Sequence, residues 1–122
     1  MKWLTLAVLL ATAACAPAIQ SSGLQPVVTE RLYFGRNVAQ TFGVTDSAWA
    51  VFVTDVVSAR LPDGFTFWAA QGPNEPSFVL EVVHPAKSAG IEAAIVGIIA
   101  EYKRRFSQES VLRVVTNGRA SY

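Results

Sequence analysis

The sequence predicts an α+β fold with the element order β-α-β-β-α-β, in which two helices lie on one face of a four-stranded antiparallel sheet. Three observations carry this expectation. Apolar residues alternate with period two in four stretches, they recur at helical spacing in two others, and turn residues separate the stretches in that order.

Thr29 to Val38 reads as the first strand, with Leu32 and Phe34 on one side and Arg31 and Tyr33 on the other. A helix follows. Thr45 is its N-cap, Asp46 complements the positive helix end, and Trp49, Phe52, Val53 and Val56 form its apolar stripe. Leu61-Pro62-Asp63-Gly64 ends the helix in a turn, and Phe65 to Ala70 is an aromatic second strand. Gln71 to Pro76 is turn-rich, so Phe78 to Val83 pairs with the second strand as a hairpin. Ser88 is the expected cap of the second helix, whose stripe Ile91, Ile95, Ile98, Tyr102 and Phe106 steps at helical intervals. Gly97 within it fits a helix that approaches the sheet closely, and Lys103, Arg104 and Arg105 read as a solvated cap on the negative helix end. Val111 to Thr116 is the last strand, and Asn117-Gly118 begins a tail.

Two β-α-β halves joined by a hairpin make the ferredoxin-like split arrangement, and right-handed crossovers leave one sheet face uncovered. Alternation assigns Leu32, Phe34, Phe65, Phe67, Phe78, Leu80, Val82, Leu112 and Val114 to the helix side. It leaves Arg31, Tyr33, Thr66, Trp68, Val79, Glu81, Val83, Arg113 and Val115 outside. A face this apolar calls for a partner or a ligand. Tyr33, Trp68, Glu81 and Arg113 are its candidate contact residues, with Arg113 expected beside Tyr33 or paired with Glu81.

Of the 122 residues, 52% are hydrophobic and 16% charged, which fits a folded chain and not a disordered one. Much of the apolar excess sits at the start. Lys2 precedes a 12-residue run, Trp3 to Ala14, that as a helix reaches only about 18 Å against a hydrocarbon core of roughly 30 Å. The run is an export signal rather than a span. The chain's single cysteine, Cys15, follows Thr12-Ala13-Ala14 in an approximate lipobox, with Thr12 where Leu is usual. Lipidation of Cys15 is the favoured reading. Cleavage by an ordinary signal peptidase after Ala11-Thr12-Ala13 or Ala14-Cys15-Ala16 is the alternative. The organisation is then a signal peptide over 1–14, a lipidated cysteine and tether over 15–27, and one α+β domain over 28–122. The expected location is a periplasm-facing membrane, with a soluble periplasmic or secreted protein as the alternative.

Without Lys2 the basic and acidic residues balance, so the domain lacks the positive field that nucleic acid requires. One histidine and one leader cysteine do not make a zinc site of the usual kind, and no Gly-x-Ser-x-Gly elbow, P-loop or dinucleotide fingerprint is present. No metal or cofactor is expected. His84, at a strand end before Pro85, reads as a carbonyl-bonding residue, and Glu75 with Glu81 is a weak carboxylate pair.

Several stretches carry a family resemblance: Glu30 to Gly35, Trp49 with Phe52, Leu61 to Thr66, Glu75-Pro76-Ser77, and Tyr102 to Arg113, whose Phe106-Ser107-Gln108-Glu109-Ser110-Val111-Leu112-Arg113 is the most specific. Through them the chain resembles the bacterial family known as domain of unknown function 3574, DUF3574, made of small exported or lipoprotein-like proteins. The family tends to carry a longer, basic segment where this chain has only Ala70 to Ser77. The resemblance implies export and a single domain, and no activity. Two functions are weighed. The first is a non-catalytic lipoprotein of the cell envelope, anchored in the membrane by lipid, whose open sheet pairs with itself or with another envelope protein. The second is a cofactor-free enzyme of the dimeric α+β barrel type acting on an aromatic or quinone-like small molecule.

Overall fold

The computed structural model describes residues 23–38 and 41–121. The leader over 1–14, Cys15 and most of the tether lie outside the described residues. The elements are β1 Gln25–Gly35, β2 Asn37–Val38, β3 Thr41–Phe42, helix α1 over 46–60, β4 Thr66–Gln71, β5 Pro76–Pro85, α2 Ile91–Phe106 and β6 Leu112–Ala120. The main sheet has the order β4-β5-β1-β6 with every pair antiparallel, and β2 with β3 forms a separate two-stranded ladder. The two long helices and the four-stranded sheet make the expected α+β fold.

β1 starts earlier and stops sooner than its alternation implies. It takes in Gln25, Pro26 and Val27 from the stretch read as tether, because their backbones pair with β6 as far as Ala120. It ends at Gly35 because Arg36 turns the chain out of the sheet. The Arg36 carbonyl accepts from Gly43 N at 3.0 Å and Val44 N at 2.9 Å. Its buried guanidinium donates to Val44 O at 2.9 Å and pairs with Asp46 at 2.7 Å. It also lies 4.3 Å from the centre of the Phe78 ring, a cation–π contact. A single arginine thus fixes the return of the chain from the sheet to the start of α1.

Thr45 caps α1 as expected, its hydroxyl accepting from Ala48 N at 3.1 Å. After Asp46–Phe52 the helix widens into a π segment, Val53–Val57, before a closing turn Ser58–Arg60. The extra residue per turn shifts the buried stripe by one position. Val56 and Val57 are therefore both buried, while Val53 of the expected stripe is only partly so. Gly64 takes φ 117 and donates to Leu61 O at 3.2 Å, closing the turn into β4.

The stripe on α2 is seated as predicted, with Ile95, Ile98 and Tyr102 fully buried and Ile91 and Phe106 packed at the margins. Ser88 is not its cap. Gly90, in the left-handed region at φ 82, turns the chain into the helix without a side-chain cap. Gly97 makes room for α1 rather than the sheet, since a Cβ there would lie 2.9 Å from Arg60 Nε. At the other end, Arg104 and Arg105 both pair with Glu101 and hold its carboxyl down to about 2.

The core lies between the sheet and both helices. Trp49 stacks on Phe78 with ring centres 4.4 Å apart and an angle of 6°, and Phe34, Phe52 and Tyr102 close around them. The last strand departs from expectation. Its register sets Leu32 opposite Arg113, which puts Arg113 and Val115 on the helix side and Leu112 and Val114 on the open face. The strand also continues to Ala120, so Asn117 and Gly118 pair with β1 and form no tail. With apolar residues at 111, 112, 114 and 115, alternation alone gives either parity. What decides it is Val111, packed at the core margin, and the ion pairs made by Arg113.

Candidate functional site

The open face is built on β5 and β1, the two central strands. Arg31 and Glu81 stand directly opposite each other in the register and form an ion pair, with Arg31 Nε 2.9 Å from Glu81 Oε2. The carboxylate beside it, and the Tyr33 side chain, raise the Arg31 pKa. The same guanidinium lies 5.7 Å from the Trp68 ring centre. Val79 is buried beneath this layer, opposite Tyr33 on one side and Trp68 on the other. Around the pair the surface is apolar and open to solvent: Trp68 is 39% exposed, Val114 41%, Val83 42% and Leu112 61%. Tyr33, Trp68 and Glu81 therefore share one face, as predicted. Arg113 does not join them.

At the far end of this face, where β1 finishes and β5 and β6 begin, lies a polar cleft of about 660 Å³. Its walls include Tyr33, Glu75, Ser77, Gln108, Glu109 and Ser110. Glu75 is half-buried, and its Oε2 accepts from Asn37 N at 3.0 Å. A Cβ on residue 35 would lie 2.6 Å from Glu75 Oε1, so Gly35 is what lets the carboxylate settle against the strand. Gln108 Nε2 donates to Asn37 O at 2.7 Å, tying the residues after α2 to the start of β2, just past the end of β1. Tyr102 anchors the same point from below, its hydroxyl donating to Gly35 O at 2.6 Å while burial pushes its pKa up. Ser107 takes the left-handed conformation, φ 50, which aims the Gln108-Glu109-Ser110 run at the cleft. Glu75 and Glu81 do not converge as a pair, because Glu81 is engaged with Arg31 and Glu75 stands at the end of the face.

Arg113 instead sits under α2. It grips Glu30 with two bonds, Nε to Oε2 at 2.7 Å and an NH2 to Oε1 at 2.9 Å, and it binds Glu92 of α2 with two more at 3.0 and 2.6 Å. The fork geometry of a guanidinium matches two carboxylates in this way. Hydrogen bonds from Arg113 lower the pKa of Glu30 and of Glu92. His84, also buried, has Nε2 3.5 Å from Glu30 Oε1 and Nδ1 2.9 Å from the Pro85 carbonyl, so Nδ1 is the donor to that carbonyl. Glu30 was missed in the sequence although the signal was present: it shares the parity of Leu32 and Phe34, as His84 shares that of Leu80 and Val82. No comparable periodic signal marks the cleft, which loops and strand ends assemble from positions far apart in the chain.

Among the described residues no helix is long and apolar enough to cross a membrane, and no three His, Cys, Asp or Glu side chains gather as a metal site. No curated protein matches the chain. Among solved structures the chain is similar to a phage SAM lyase in its apo state, at 16% identity and a TM-score of 0.59, over 84% of this chain and 94% of that one. The phage SAM lyase in complex with S-methyl-5′-thioadenosine matches at 16% identity and a TM-score of 0.55, covering 79% and 90%. The de novo designed protein Foldit4 matches at 14% identity and 0.50, covering 75% and 94%. At these identities the likeness is one of fold. Residues 29–122 match the family described as protein of unknown function, DUF3574.

Proposed function

Since the chain belongs to the DUF3574 family, whose function is unknown, we propose its role from the site itself: an exported, lipid-anchored binding domain whose open sheet face pairs with a second copy of the chain. One observation carries this reading. Trp68, Val83, Leu112 and Val114 are exposed together around the Arg31–Glu81 pair. Exposed aromatic and aliphatic side chains gathered on one face with an arginine among them have the composition of interface cores and hot spots.

A second copy is the fitting occupant because the charges are self-complementary. A two-fold axis through the face brings Arg31 of each copy toward Glu81 of the other. The size also fits. Four strands spaced about 4.8 Å apart and averaging some 30 Å in length give a footprint on the order of 600 Å². Side-chain relief raises that toward the roughly 800 Å² per partner of a standard interface. Sedimentation of the purified chain should show a dimer. Trp68→Asp with Val114→Asp should shift it to monomer with the melting temperature nearly unchanged. A wild type that stays monomeric at high micromolar concentration counts against the pairing.

The anchor rests on Cys15, placed behind small residues at the end of an apolar run too short to span a bilayer. Acylation at that site holds a protein by about 0.8 kcal/mol per buried methylene. Cys15→Ala should move the protein from the membrane to the soluble fraction with the domain still folded. Unchanged membrane retention would remove Cys15 from the role.

The cleft favours a second reading, a cofactor-free enzyme in which two facing sheets roof a pocket. Its lining is polar, so a polar substrate fits better than an aromatic or quinone-like one. Incubation with S-adenosylmethionine, followed by measurement of S-methyl-5′-thioadenosine, tests this reading against the chemistry of the phage lyases.

A further inference from the structure

We propose that the cleft at the end of the open face is a binding site for a small organic cation, a primary amine, with Glu75 as its counter-ion. The cavity, about 660 Å³, is the size of a small-molecule site and far larger than a bare ion needs. Glu75 is set in place before any ligand arrives. The Asn37 N–H fixes one carboxylate oxygen, and the missing Cβ of Gly35 admits the other. Among the described residues Glu75 makes no ion pair, and neither lysine, arginine nor histidine lines the cleft. A half-buried carboxylate with no ion-pair partner among the described residues is open to a cation from outside.

The remaining lining selects the class. The Gln108 amide spends its N–H donors on the Asn37 and Phe106 carbonyls, at 2.7 and 3.3 Å, which leaves its oxygen as an acceptor. Glu109 adds a second carboxylate, and Ser77 and Ser110 add hydroxyls. Such a site has a surplus of acceptors, and an ammonium, with three donors and a full charge, satisfies them where a neutral alcohol does not.

This inference goes beyond the pairing of sheet faces and does not depend on it. Titration calorimetry of the full chain with putrescine, and with 1,4-butanediol as its neutral counterpart, tests it. Putrescine should bind at least tenfold more tightly than the diol. Glu75→Gln, which keeps an oxygen for the Asn37 N–H and loses the charge, should weaken putrescine at least tenfold. Gly35→Ala should do so as well, since the new methyl pushes the carboxylate aside while its charge remains. Trp68→Asp, which removes the pairing surface, should bind within about twofold of wild type. Equal affinity for amine and diol, or undiminished binding by Glu75→Gln, would overturn the proposal. So would loss of binding by Trp68→Asp, because the site would then belong to the paired chains.

Discussion

Truncating Phe34 to alanine should lower the unfolding free energy by about 3–5 kcal/mol, read from urea denaturation at neutral pH. Phe34 is fully buried, and its ring lies 4.6 Å from Tyr102, 5.3 Å from Trp49 and 6.1 Å from Phe52, centre to centre. It is the one aromatic side chain from β1 in a cluster drawn otherwise from both helices and β5. Removing it leaves a cavity that neither helix can fill without breaking its own contacts. Tyr102 is further held by its bond to Gly35 O, which opposes collapse. A loss under about 1 kcal/mol would mean that the helices close over the gap, and the core would be far softer than this packing implies.

Arg113→Met should cost about 3–5 kcal/mol at pH 7, because it takes the guanidinium from a buried carboxylate and leaves only His84 beside it, 3.5 Å away. Glu30 is only 3% exposed and relies on Arg113 for two charge-assisted bonds. The pH dependence gives the sign. In the wild type Arg113 lowers the Glu30 pKa below its ordinary 4.5, so the stabilisation is fully present above that value and is lost as pH falls through the lowered one. In the mutant the burial that raises the Glu30 pKa is opposed only by His84, so the carboxylate takes up a proton at a higher pH than in the wild type and is relieved by it. The gap between wild type and mutant should therefore narrow from pH 7 to pH 4. Adding Glu30→Leu to Arg113→Met should recover much of the loss at pH 7, since an apolar pair leaves no buried charge. A gap that widens on acidification would show that Glu30 is not the stranded group.

Most of the fold is legible in the sequence because its signals are periodic. The α2 stripe, the Thr45 cap and the alternation around Leu32 and Phe34 each name an element and the side it buries. The failures have physical causes of their own. β6 carries apolar residues at both parities, so its orientation depends on where Arg113 finds carboxylates, and those come from β1 and α2. The π segment of α1 shifts the buried stripe by one residue, which a fixed helical period does not describe. Ser88 looks like a cap, but the left-handed Gly90 starts the helix two residues later. Of the candidate contact residues, alternation places Tyr33, Trp68 and Glu81 on the open face, where the register sets them, and misplaces Arg113 with its strand. The cleft was not found. Gly35, Glu75 and Gln108 are each unremarkable locally, and only the pairing of Gly35 with Ser77 and the reach of Gln108 to Asn37 bring them together.

The pairing of Gln25 with Ala120 gives the sheet a near and a far end. Everything before residue 25 joins the domain where β6 finishes, and β1 then runs 11 residues, roughly 36 Å at 3.3 Å per residue, to the cleft beyond Gly35. In a chain held at a surface by its N-terminal segment, the cleft lies at the end of the sheet away from the point of attachment, about one sheet length from it. The open face runs lengthwise between those two ends. Two chains held on the same surface could then meet face to face without either leaving its anchor. They would also meet the right way up for their clefts to open at the same height.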